Sequence, residues 1–455
     1  MRLAKSHFHF IGIGGIGMCG LAELLCGMGA AVSGSDMAEN ANTERLKSLG
    51  AKIYLGHAAD QLGKADVVVF SSAVAFNNPE IAEARKRGVP LIQRAEALAE
   101  VMRLKRGIAV AGTHGKTTTT SLTSAIFLEA KLNPTIFVGG RLDLIGSTAK
   151  LGDGEWLIAE ADESDGSFLK LSPELGIITN IDTDHLDYHK SFENLQRAYY
   201  EFALKLPFYG HLIACGDDPA IRQTFENYPK RISYYGFDSK NDYFLKGGQG
   251  HYQVFHQDRA RAETKEIAKF ELSVPGQHNA LNALAAFLAG RFAGVPLEVC
   301  SRGLKSFQGV DRRFQLRGQT SAGVLVYDDY GHHPTEIRAT LQAFREKFAS
   351  ERLIAVFQPH RFSRTSHCWT DFTQAFGLAS EVIVTDIYAA GEAPIAGISS
   401  ERLALEMKHD SVTFLSKDSH FTEQLHKRGK KGDVLIFLGA GDIYKTAIEM
   451  AESSR

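Results

Sequence analysis

Residues 107 to 130 set an apolar, strand-like run, Gly107-Ile108-Ala109-Val110-Ala111, before a turn and a helix-like run from Ser121 to Ala130. The turn reads Gly112-Thr113-His114-Gly115-Lys116-Thr117-Thr118-Thr119. A strand, a glycine-rich turn carrying lysine and threonine, and a helix form a phosphate cradle, because backbone amides and the helix N-terminus face the anion. The lysine ammonium reaches the outer phosphates, and the first threonine hydroxyl is placed to ligate Mg²⁺. The standard P-loop has four residues between its glycines; here only Thr113 and His114 separate Gly112 from Gly115. This unit commits the chain to an α/β fold with a nucleotide at a strand end.

A 455-residue chain is too long for one core and implies several domains. The 51 basic and 53 acidic residues give a formal net charge of -2, so no basic excess suggests nucleic acid as a partner. Apolar runs are interrupted well before the roughly 20 residues of a membrane span. The N-terminus carries no signal-peptide pattern. Cys19, Cys26, Cys215, Cys300 and Cys368 are scattered, with no Cys-x-x-Cys pair, which suggests a reducing compartment and no structural zinc. The expectation is a cytoplasmic enzyme without membrane or nucleic-acid partners, as a monomer or a homodimer.

Three α/β units are expected. Residues 1–104 alternate strand-like runs (8–13, 31–35, 52–54, 67–71, 91–92) with helix-like ones, the pattern of a Rossmann-like parallel sheet. Residues 105–313 carry the phosphate cradle. From about 232 to 274 this unit changes to short alternating runs that look like a small antiparallel sheet. Residues 314–455 return to strands (323–328, 353–357, 381–385, 412–415, 434–438) separated by helices, a second Rossmann-like unit.

Further motifs fall at strand ends. Gly12-Ile13-Gly14-Gly15-Ile16-Gly17 matches G-x-G-x-x-G, and Asp36 ends the next strand about 20 residues on, where a ribose-binding acid is expected. Taken alone this pair suggests NAD, although the same geometry serves any nucleotide diphosphate. Glu160-Ala161-Asp162-Glu163-Ser164-Asp165 closes a strand beside the phosphate loop, where hard cations find oxygen ligands. Asp182-Thr183-Asp184-His185 closes another. In the third unit, Asp328-Asp329-Tyr330-Gly331-His332-His333 and His360-Arg361-Phe362-Ser363-Arg364 each follow a strand, so both should face one crevice. Their histidines, tyrosine and arginines suit carboxylate and phosphate, arginine through forked hydrogen bonds. Arg312-Arg313 lies at the second junction.

With these motifs in this order, the chain resembles the Mur ligases along essentially its whole length, and within them the alanine-adding branch. The resemblance implies an ATP-dependent ligase of peptidoglycan precursor synthesis, with UDP-N-acetylmuramate, L-alanine and ATP as substrates and two Mg²⁺ ions. It reassigns the first glycine turn from NAD to UDP: Gly14, Gly15, Ile16, Gly17, Asp36, Ser71 and Ser72 would bind the sugar nucleotide. Gly112, Thr113, His114, Gly115, Lys116, Thr117 and Thr118 would hold the ATP phosphates, with His278 and Asn279 near adenine and Asp329 on the ribose. Thr117 and Glu160 would ligate one Mg²⁺, and Glu160 and His185 the second. Arg313 would contact the γ-phosphate. Tyr330, His332, His360, Arg361 and Arg364 would form the amino-acid and acyl-phosphate side. Several relatives carry a carbamoylated lysine after the Asp-His motif; here Leu195-Gln196-Arg197-Ala198-Tyr199-Tyr200 has no lysine. An NAD-dependent oxidoreductase or a non-catalytic nucleotide-binding regulator would leave the lysine, the acids and the third unit's motifs without a use. A tripeptide-joining ligase of the same family stays open as the nearest alternative.

Overall fold

The computed structural model describes residues 3–71, 74–142 and 145–452, and it contains three sheets. The first has five parallel strands in the spatial order Lys52–Leu55, Ala31–Asp36, His7–Ile11, Val67–Phe70, Leu91–Gln93. The chain starts in the centre and winds first to one side and then to the other. That reversal opens a crevice at the strand C-termini, where Asp36 ends its strand and Gly12 and Ser71 follow theirs.

The second sheet has ten strands. Arg106–Ala111 lies between Leu175–Ile178 and Trp156–Glu160, all parallel, so the phosphate loop and the acidic turn leave from adjacent strand ends. The stretch 232–274 is antiparallel only in part. Ile232–Gly236 pairs parallel with His211–Cys215, and Tyr243–Gly248 pairs parallel with Ile232–Gly236. Tyr243–Gly248 then lies beside His251–Asp258, which pairs antiparallel with Glu263–Glu271, so this part extends the large sheet instead of forming a separate one. Alternating polarity marks a half-exposed strand; it does not report strand direction. The strand Thr135–Leu142, whose pattern is diluted by two glycines, and the short edge strand Ser147–Lys150 that pairs with it escaped the sequence reading.

The helix after the phosphate loop, Lys116–Glu129, is built from five hydroxyl residues in its first six positions. These are modest helix formers because their hydroxyls compete for the backbone. Here Thr120, Ser121, Thr123 and Ser124 each donate to the carbonyl four residues earlier, whereas Thr119 Oγ1 is buried with no hydrogen-bond partner. Gly303 lets the helix Leu297–Lys305 press on this one: a Cβ there would lie 2.6 Å from Ile126 Cα.

The third sheet runs Gln315–Gln319, Leu325–Asp329, Val434–Leu438, Leu353–Phe357, Glu381–Val384, Val412–Phe414. All pairs are parallel except the first strand, an antiparallel edge that sequence periodicity did not signal. Its central strands are buried on both faces, with Ala355, Phe357, Val382 and Ile436 on one side and Ile354, Val356, Ile383 and Leu435 on the other. Two-sided burial explains their continuous apolar runs.

The described chain forms two compact units. One comprises residues 1–247, 251–272 and 281–307, and holds the first two sheets; the other comprises 248–250, 273–280 and 308–455.

Candidate active site

In the first unit, the phosphate loop has a backbone that only glycine supplies easily. Gly112 and Gly115 have φ of 130° and 81°. A Cβ on Gly112 would overlap Thr179 Oγ1, and one on Gly115 would lie 2.6 Å from Asn282 Oδ1. The loop is pinned from the neighbouring strand end. The His114 amide donates to Asn180 Oδ1 (2.8 Å), the His114 carbonyl accepts from Thr179 Oγ1 (2.5 Å) and Asn180 Nδ2 (3.0 Å), and the His114 ring meets Asp182 at 2.9 Å. The Asp182 amide donates to Thr113 Oγ1 (2.9 Å). No side chain caps the following helix, so its N-terminus is left to an anion.

Lys116 Nζ donates to the carbonyls of Gly112 (2.7 Å) and Thr113 (3.1 Å) and to Glu163 Oε1 (2.8 Å). Burial disfavours its ammonium, but Glu163, Asp162 and Glu160 outweigh that and hold the pKa above the ordinary lysine value. Burial lifts the Glu163 carboxyl above the usual range, with Asp162 adding to the effect and Lys116 opposing it. Asp162 is also penalised by burial, yet Lys116 and the Ser164 amide bring its pKa below the ordinary value.

Thr117 Oγ1 donates to Glu160 Oε2 (2.9 Å), which also accepts the Gly139 amide. Glu163 Oε2 is buried with no hydrogen-bond partner. Two hard oxygen donors in contact beside the loop, with an orphaned carboxylate oxygen nearby, suit a divalent cation such as Mg²⁺. His185 takes a left-handed backbone (φ 57°) that turns its ring inward, with Nε2 3.8 Å from Glu163 Oε1 and 3.6 Å from Asp184 Oδ2. Thr118 is buried in the helix's first turn.

The first glycine turn lies in the same unit. The Gly14 amide donates to Asp36 Oδ2 (2.8 Å), and the Gly14 carbonyl accepts from Asn42 Nδ2 (2.8 Å) and Asn40 Nδ2 (3.3 Å). Gly15 starts the helix Ile16–Gly27 without a side-chain cap, and Ile16 is exposed. Arg94 lies against Gly17, its guanidinium 3.3 Å from where a Cβ would sit. A cleft of about 650 Å³ is lined by Gly12, Gly14, Gly15, Asp36, Met37, Asn40, His57, Ser71 and the 74–79 loop. Ser72 falls outside the described residues.

In the second unit, Asp329 is buried and brackets its neighbours: Oδ2 accepts the Phe314 amide (2.7 Å), and Oδ1 accepts the Gly331 amide (2.8 Å) and Thr340 Oγ1 (3.3 Å). Burial raises its pKa against the pull of Arg313 and these amides. Arg313 pairs with Glu336 (3.3 Å) and lies over the Tyr330 ring at 5.1 Å. His278 is pushed down to about 4 by burial and then by Arg313, while Asn279 Nδ2 donates to the Pro275 carbonyl (2.7 Å). The His332 and His360 rings meet edge-on at 5.9 Å. His360 contacts Arg364 (3.2 Å) and stacks on Tyr388, and burial followed by Arg364 and Arg361 pushes it down to about 4. It therefore stays a neutral imidazole. Arg361 has φ 68°, and its buried Nε has no hydrogen-bond acceptor. Strain plus an orphaned guanidinium N–H marks an anion site, and a carboxylate fits it.

Three models from known families match in sequence order: "Mur ligase family, catalytic domain" over residues 7–106, "Mur ligase middle domain" over 110–290, and "Mur ligase, glutamate ligase domain" over 312–441. The UDP-N-acetylmuramate–L-alanine ligase of Bdellovibrio bacteriovorus is 62% identical over 99% of each chain. The chain belongs to the Mur ligase family. A ligase of the same name from Geobacter sp. (strain M21) is 46% identical over 97% of this chain and 96% of its own. The crystal structure of UDP-N-acetylmuramate–alanine ligase from Thermotoga maritima superposes with a TM-score of 0.79 at 30% identity, covering 98% of this chain and 99% of that one.

Within this Mur ligase the structure joins Lys116, Thr117 and Glu160 in the first unit, and Tyr330 with Arg313 and His332 with His360 in the second. It adds residues that spacing did not single out. Glu163, not Glu160, is the partner of Lys116. Arg94 reaches the first glycine turn, and Glu392 accepts from the Ser363 amide and hydroxyl beside Arg361. Glu163 lies inside the acidic motif Glu160-Ala161-Asp162-Glu163-Ser164-Asp165. Arg94 and Glu392 had no local signal.

Proposed function

We propose that this Mur ligase joins L-alanine to the lactyl carboxylate of UDP-N-acetylmuramate at the expense of ATP, in peptidoglycan precursor synthesis in the cytoplasm. The observation that carries this is near-complete coverage at 62% identity by a ligase of that name, together with an intact lysine, threonine and acid set at the phosphate loop. Mur ligases are typically ATP-binding enzymes.

A carboxylate does not react with an amine at neutral pH, because oxide would have to leave. Transfer of the γ-phosphoryl group to the carboxylate gives an acyl phosphate, and the amine then displaces phosphate. The loop amides and Lys116 orient the phosphates and take up developing charge. Thr117 and Glu160 would hold one Mg²⁺, with Glu160 and His185 at a second. When bound, Mg²⁺ neutralises charge on the phosphoryl oxygens. Arg313 is assigned to the transferred phosphoryl group, and Asp329, His278 and Asn279 to the nucleoside. Arg361 and Arg364 would take the carboxylate of the amino acid, with Tyr330, His332 and the neutral His360 around its amine. The cleft at Gly14, Gly15, Asp36 and Ser71 would take the UDP moiety.

The test is phosphate release with ATP, Mg²⁺ and UDP-N-acetylmuramate, adding L-alanine, glycine, L-serine or a muramyl tripeptide in separate reactions. Release greatest with L-alanine, with one alanine residue added to the sugar nucleotide by mass, is expected. Release only with tripeptide would move the chain to another branch, and release with none would end the ligase reading.

A further inference from the structure

A buried polar chain runs beneath the first sheet's crevice and ends in it. Glu80 and His9 are both fully buried. Glu80 Oε1 meets His9 Nε2 at 2.8 Å, and Oε2 meets Ser35 Oγ at 2.7 Å and His57 Nδ1 at 2.8 Å. His9 Nδ1 continues to Ser33 Oγ (2.8 Å) and from there to His7 Nε2 (2.8 Å). Glu80 sits in the first turn of the helix Pro79–Arg87, whose N-terminus favours a carboxylate. A buried carboxylate costs on the order of several kcal/mol unless donors surround it; this one meets three.

The proton positions follow from the donors. Ser35 has one hydroxyl proton, and it goes to Glu80. His57 Nδ1 faces both the Glu80 carboxylate and Ser35 Oγ (2.9 Å), so it must carry a proton, since a lone pair there would oppose two acceptors. A neutral imidazole protonated at Nδ1 has an acceptor at Nε2. The His57 side chain is 18% exposed and lines the cleft next to Asp36, Met37 and the 74–79 loop. The Gly56 amide donates to the Asp36 carbonyl (2.8 Å), which keeps His57 beside the strand end that holds the glycine turn. Asp36 itself accepts the Gly14 and Ala38 amides.

We infer that His57, fixed as the Nδ1–H tautomer by Glu80 and Ser35, is a specificity residue for the nucleotide base, its Nε2 accepting the imide N3–H of uracil. Glu80 is then a positioning residue that touches no ligand. This rests on the reading of the cleft as the UDP site. The imide N–H is what separates uracil from cytosine at that ring position, where cytosine presents an acceptor. The exposed Met37 on the cleft wall supplies an apolar surface for a flat ring.

The test is calorimetric titration of the full chain and its His57→Ala variant with UDP and with N3-methyl-UDP, together with ¹⁵N shifts of the His57 ring in wild type and Glu80→Gln. Wild type should bind N3-methyl-UDP about tenfold to a hundredfold more weakly than UDP, as for a lost buried hydrogen bond. His57→Ala should bind the two alike. The ring should be Nδ1–H in wild type with UDP bound, and a mixture of tautomers in Glu80→Gln. No discrimination in wild type, full discrimination in His57→Ala, or an Nε2–H ring would each overturn the inference while leaving the UDP site standing. Failure of wild type to bind UDP at all would remove the site reading itself.

Discussion

Two glycine turns in this molecule have nearly the same architecture and opposite chemical equipment. Each follows a central parallel strand and opens a helix that no side chain caps. At Gly12–Gly17 the turn is held by neutral and acidic side chains: Asp36 takes the Gly14 amide, and Asn40 and Asn42 take its carbonyl. Its nearby cation, Arg94, comes from another helix. At Gly112–Lys116 the turn carries its own lysine and threonine and faces Glu160, Asp162 and Glu163. A helix start and a row of amides therefore specify an anion and no more. In the proposed function, the lysine and acids beside the second turn would let it move a phosphoryl group, whereas the first would only hold one.

The largest effect should come from removing that difference. Lys116→Ala should lower kcat by about a thousandfold, the scale of a lost transition-state charge contact. Retained turnover in a steady-state assay would return the second turn to mere binding. Chelating Mg²⁺ should likewise stop turnover while the affinity for UDP, by calorimetry, stays the same. Equal loss of both would mean that the first turn also depends on the metal.

The backbones should separate the turns next. Gly112→Ala adds a Cβ that overlaps Thr179 Oγ1 on top of its positive φ, so a loss of about 3 kcal/mol is expected in denaturant unfolding. Gly12→Ala has φ 80° but no atom closer than 3.6 Å to the new Cβ, so only the left-handed cost of about 1 kcal/mol is expected. Equal losses would show that packing does not distinguish the loops. The smallest effect should be Asp36→Ala, which frees the Gly14 amide from its anchor: KM for the sugar nucleotide should rise about tenfold, one hydrogen bond to a charged group, with kcat nearly unchanged.

Both turns were legible in the sequence because their signals are local. Each has its glycines, the preceding apolar strand and the following helix within about 25 residues, and the acids fall at the next strand end, as open α/β sheets require. What spacing did not reveal is which carboxylate answers the lysine. Glu160 ends its strand and turns to Thr117, and the chain bends before Glu163 meets Lys116, a direction that no periodicity encodes. The Glu80–His57 pair joins the first turn of a helix to a loop through burial alone and leaves no motif. The parallel pairing of Ile232–Gly236 was hidden because alternation records which face is wet and not which way the strand runs.

The most direct test of the division between the turns is calorimetric titration of ATP with Mg²⁺, and of UDP, into wild type, Lys116→Ala and Asp36→Ala. Lys116→Ala should lose ATP binding and keep UDP binding, and Asp36→Ala should weaken UDP and leave ATP unchanged. If either substitution weakened both ligands equally, or if the two patterns were reversed, the assignment of separate nucleotides to the two turns would be wrong.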